Sequence, residues 1–88
     1  MKTIYKYPID LTIEKQCLCL PENSQLLSVQ MQNEKLCVWA LIDESQPLSM
    51  VRFHIFGTGD NLPDDLNTVF LGTVQDGIYV WHVLYERL

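Results

Sequence analysis

Three cysteines, Cys17, Cys19 and Cys37, and two histidines, His54 and His82, are the residues of this 88-residue chain best suited to bind a metal or attack a substrate. Zinc sites pair their ligands at C-x2-C or H-x3-5-H spacing, and no pair here has it; Cys17 and Cys19, two apart, would simply share one face of a strand. An odd cysteine count in a chain whose first residues, MKTIYKYPID, lack a secretory pattern also argues against a disulfide framework. The thiols are expected to be reduced, mostly buried and metal-free, acting as small hydrophobes. None of Ser24, Ser28, Ser45 or Ser49 lies in a G-x-S-x-G elbow or next to a histidine in sequence, so no activated nucleophile is expected and the chain reads as a non-enzyme.

Gly57, Thr58 and Gly59 offer backbone amides of the kind that cradle phosphate, but no lysine follows at P-loop spacing and Asp60 would repel an anion. A tight turn after a strand accounts for them. Asp60, Asp64 and Asp65 cluster next to it, yet an EF-hand starting at Asp60 would need Gly where Asp65 stands and Glu where Leu71 stands. They read as a solvated loop. No cofactor is expected.

Six Lys and Arg against eleven Asp and Glu give a net charge of -5, which opposes the phosphate attraction behind ordinary DNA or RNA binding. The longest apolar run, Leu36 to Ile42, is seven residues, against the roughly 20 of a spanning helix. The default expectation is a cytoplasmic protein with no membrane association. What remains is aromatic content: Tyr5, Tyr7, Phe56, Tyr79, Trp81 and Tyr85 cannot all be central in so small a domain. With Arg52, His54 and the acids Asp60, Asp64 and Asp65, they are the candidate binding residues for a protein partner.

The elements that must position these residues are strands. β-Branched and aromatic residues recur in short runs broken by Pro, Asn, Asp and Gly about every ten residues, the pattern of one all-β domain over residues 1–88. About six strands in a small antiparallel barrel or sandwich are expected, with a C-terminal hairpin.

Lys2 to Tyr7 alternates and is expected to stop at Pro8, and a weaker segment covers Thr12 to Leu20. In Leu26 to Gln32, Leu27, Val29 and Met31 oppose Ser28, Gln30 and Gln32, giving one dry and one wet face. Leu36 to Asp43 is apolar on both parities, as in a central strand covered on both faces. A two-residue loop at Asn33 and Glu34 sets Val29 opposite Val38, and a three-residue loop sets it opposite Trp39.

In Met50 to Phe56, Val51, Phe53 and Ile55 face one way and Arg52, His54 and Phe56 the other. The loop Asp60 to Leu66 has the makings of one helical turn at Pro63. Asn67 to Gln75 and Ile78 to Glu86 flank Asp76 and Gly77, read as a type I′ turn. That register sets Val74 against Tyr79, Gly72 against Trp81 and Phe70 against Val83.

The segments MKTIYKYPI at 1–9, LLSVQMQN at 26–33, LCVWALID at 36–43, IFGTG at 55–59, LGTVQ at 71–75 and VWHV at 80–83 resemble a family of small proteins of bacteria, prophages and tailed phages. Members of that family tend to have Gly where this chain has Glu34 and His where it has Asp60. The resemblance brings no activity and no site residues. It implies a phage or mobile-element origin, where small acidic domains serve as inhibitors of host defence, in the manner of anti-CRISPR proteins, or as structural and assembly factors. Steric blockade of a protein partner is the leading expectation. A sponge for a small nucleotide signal is the alternative, with Arg52, His54, Lys2 and Lys6 as its only cationic groups, and an exposed strand edge also allows a homodimer.

Overall fold

The computed structural model describes all 88 residues and is all-β, with seven strands: β1 (Thr3–Ile9), β2 (Gln16–Pro21), β3 (Gln25–Gln32), β4 (Lys35–Ile42), β5 (Leu48–Gly57), β6 (Val69–Asp76) and β7 (Tyr79–Arg87). They form two antiparallel sheets, β1-β4-β3 and β2-β5-β7-β6. The sheets face each other as a sandwich and do not close into a barrel.

Alternation makes the core. Val51, Phe53 and Ile55 on β5 meet Val38, Ala40 and Ile42 on β4, and all six are essentially inaccessible to water. β4 is central in its sheet, as its composition implies, but only its inner face is covered by the other sheet; Trp39 and Leu41 on the outer face stay half-exposed.

β1 runs through Pro8, which pairs with Cys37, instead of ending there. β1 is an edge strand, and a proline costs no ladder bond when its nitrogen faces away from the neighbour. β2 is also an edge, and it starts at Gln16, later than the sequence implies. Cys17 and Cys19 lie on its outer face and are exposed, contrary to the expectation of mostly buried thiols; only Cys37 is buried.

The β3–β4 hairpin has the two-residue loop, with Asn33 at φ 51° and Glu34 at φ 65°, and Val29 faces Val38. A bulge between Leu26 and Ser28 then breaks the alternation, so Leu26 turns inward and Leu27 is exposed. The β6–β7 loop sits one residue later than expected, which moves each cross-strand pairing by two residues. Gly77 has φ 60° and Ile78 does not have positive φ, the type II′ pattern, so Gly77 and Ile78 form the loop and Asp76 pairs with Tyr79.

Trp81 therefore faces Val74, and Gly72 faces Val83. The bare face of Gly72 is taken by β3: a Cβ there would stand 2.8 Å from Val29 Cγ1. That close approach joins the sheets at the β3–β6 corner, where β6 also carries a bulge between Phe70 and Gly72. Pro63 to Leu66 closes a single hydrogen-bonded turn in place of a helical one.

Candidate binding cleft

β5 ends at Gly57, directly opposite Trp81 of β7. The chain then doubles back through Gly59, at φ 91°, so that Asp60 N–H donates to Gly57 O at 3.1 Å and Gly57 N–H donates to Asp60 Oδ2 at 2.7 Å. This reciprocal pair fixes the carboxylate. A Cβ on Gly57 would meet Asp60 Oδ2 at 3.3 Å and the six-membered ring of Trp81 at 3.4 Å, so acid and indole flank the same bare backbone.

The type II′ turn brings in Tyr79, whose ring stacks with Trp81 at 6.1 Å between centroids and 24° between planes. Residues 10–16 supply the opposite wall. Asp10 N–H donates to Gln16 Oε1 at 2.9 Å and Gln16 Nε2 donates back to Asp10 O at 2.7 Å, clamping a loop that holds Ile13 outward.

Together these segments enclose an open cleft of about 700 Å³ whose apolar walls are Ile13, Ile78, Tyr79 and Trp81 and whose only charged lining residue is Asp60. Ile13 is 72% exposed and Ile78 89%. A narrower pocket of about 120 Å³ lies between Trp81, Ile55 and Leu11. Trp81 Nε1 is buried with no hydrogen-bond partner, an arrangement that costs about 1–3 kcal/mol.

The other sequence-derived candidates lie elsewhere. Arg52, His54 and Phe56 are on the outer face of the second sheet, where Glu86 Oε1 accepts from Arg52 Nη1 and from His54 Nε2, each at 3.1 Å. The bond from His54 and the nearby Arg52 charge hold the Glu86 carboxyl below its usual range. His54 is only 4% exposed, stacked beside Phe56 at 6.5 Å, with Nε2 already engaged. It pins β5 to β7 and has no open approach for a substrate. His82 likewise bridges Thr58 and Thr73, at 2.8 and 3.0 Å.

Tyr5 and Tyr7 meet edge-to-face at 6.4 Å on β1, with Tyr5 exposed and Tyr7 partly buried. Hydrogen bonding to Glu44 raises the Tyr5 hydroxyl, and burial raises that of Tyr7. Tyr85 packs inward on Phe53 at 6.5 Å with the Arg87 guanidinium 5.8 Å from its ring. Asp64 and Asp65 are exposed in the loop after Asp60.

Of the eleven candidates, Asp60, Tyr79 and Trp81 converge on the cleft. Sequence reasoning missed Ile13 and Ile78. The signal for Ile78 was its place beside Gly77: an isoleucine in a two-residue hairpin turn has no core to enter.

The model of a family described as a domain of unknown function, DUF7352, matches residues 1–88, the whole chain. The chain belongs to the DUF7352 family. No curated protein and no solved structure matches it. No helix of the DUF7352 chain is long and apolar enough to cross a membrane.

Proposed function

We propose that this DUF7352 protein is a non-catalytic binding domain that docks on a protein partner through the cleft between Ile13, Asp60, Ile78, Tyr79 and Trp81. The observation that carries the reading is the exposure of two isoleucines, at 72% and 89%, around a stacked Tyr–Trp pair. Aliphatic and aromatic groups held open to solvent are what an interface core uses, and Trp and Tyr are the residues that dominate its energy. The resemblance to proteins of phages and prophages supports a role in the cytoplasm of a bacterial host, as a counter-defence inhibitor that blocks its target sterically.

The cleft is poorly suited to a phosphorylated nucleotide. Asp60 is its only charged lining residue, Arg52 is paired with Glu86 on another face, and Lys6 donates to Gln32 at 2.7 Å on the first sheet.

The test is capture from host lysate with the parent protein and with Ile78→Asp, Tyr79→Ala and, as an off-cleft control, Ile4→Asp. A partner retained by the parent and the control but lost by both cleft variants supports the reading. Equal retention by all four proteins contradicts it.

A further inference from the structure

We infer that the cleft receives an arginine side chain from a basic segment of the partner, its guanidinium lying against the Tyr79–Trp81 pair and its charge facing Asp60. This rests on the protein-binding reading above and adds the chemistry of the partner. Three features converge. The cleft has aromatic walls, and a cation near an aromatic face is attracted by the ring's quadrupole, the more so when water is excluded.

The only charged lining group is a carboxylate, and it is pre-positioned: Asp60 Oδ2 accepts the Gly57 N–H at 2.7 Å beside the ring of Trp81, on a backbone that has no side chain between them. Asp64 and Asp65 follow in the same exposed loop, and the chain as a whole carries -5, so the approach to the cleft favours positive charge.

Arginine fits better than lysine because its planar fork stacks on an aromatic ring while still donating to a carboxylate. The isoleucines then cover its methylene stem, which is apolar along most of its length. An acidic or purely aliphatic segment would leave the Asp60 carboxylate facing like charge or desolvated without a counter-charge.

The test is an NMR titration of the full chain with three capped peptides, Ac-Gly-Arg-Gly-NH2, Ac-Gly-Leu-Gly-NH2 and Ac-Gly-Glu-Gly-NH2, following the Trp81 indole N–H and the amides of residues 57–60 and 77–81. A Trp39→Phe variant assigns the two indole signals. The arginine peptide is expected to shift the cleft signals, and Asp60→Asn, which keeps an acceptor for Gly57 N–H, should weaken that binding about tenfold. Asp65→Asn, an equal change in net charge outside the lining, should leave it within about twofold.

Equal shifts from the leucine peptide, or equal losses from Asp60→Asn and Asp65→Asn, would overturn the inference and leave the protein-binding cleft standing. Silence from all three peptides while the cleft variants still abolish partner capture would also overturn it. Silence together with unaffected capture removes both readings.

Discussion

Gly72→Ala is expected to destabilise the domain through one contact. The added Cβ would stand 2.8 Å from Val29 Cγ1, whereas carbon atoms pack best at about 3.5–4.0 Å. Val29 is 5% exposed and held by the core, so neither its side chain nor the β3–β6 corner yields freely. Overpacking of this size costs about 1–3 kcal/mol. Gly72 does not have positive φ, so alanine is otherwise allowed there and regains about 0.4–1 kcal/mol from the unfolded chain.

Taken at mid-range, the net loss is about 1.3 kcal/mol, or roughly 5–10 °C in Tm for a domain of this size. Urea and thermal unfolding of Gly72→Ala, Val29→Ala and the double variant measure it. Relief of the clash should make the double variant more stable than the two single losses sum to, by about 1 kcal/mol. A neutral Gly72→Ala, or strict additivity, would refute this account of the corner that orients β6 and, through it, the β7 hairpin.

Glu34 holds φ 65° in the β3–β4 turn, so Glu34→Gly should raise stability by about 1 kcal/mol in urea unfolding. Glu86 has a folded pKa below its unfolded one, so its contribution is present above the ordinary Glu range and lost as pH falls through the folded value. The stability gap between parent and Glu86→Gln should therefore narrow below about pH 4.3, and a pH-independent gap would count against the His54–Glu86–Arg52 network. Trp81→Phe should stay within about 1 kcal/mol of the parent by thermal unfolding, because losing an unpaired buried donor offsets lost packing, while weakening partner binding.

Alternation in Met50 to Phe56 was enough to separate the two faces of β5, and Asn33-Glu34 held the correct two-residue loop among its alternatives. What escaped depends on partners distant in sequence. Asp76-Gly77-Ile78 admits a type I′ turn on its first two residues or a type II′ turn on its last two, and packing across β6 and β7 decides between them. Leu27 is exposed because of a bulge near the corner where β3 meets β6, which no local pattern encodes.

Pro8 was misjudged because whether a strand lies at an edge is a property of the whole sheet, and Cys17 and Cys19 because the face of β2 that turns outward is set by its pairing with β5. His54 is buried on an outer face by Glu86, 32 residues away. The cleft joins Ile13, Asp60 and Tyr79–Trp81, three segments with no common motif, so only the aromatic and acidic members were legible in advance.

The most direct test of the binding cleft is amide hydrogen exchange of the chain alone and in complex with its captured partner. Protection gained at residues 11–14, 57–60 and 77–81, with the outer face of the first sheet around Ile4, Leu27 and Trp39 unchanged, is the predicted result. Protection confined to that outer face, with the cleft segments exchanging as in the free protein, would contradict the account.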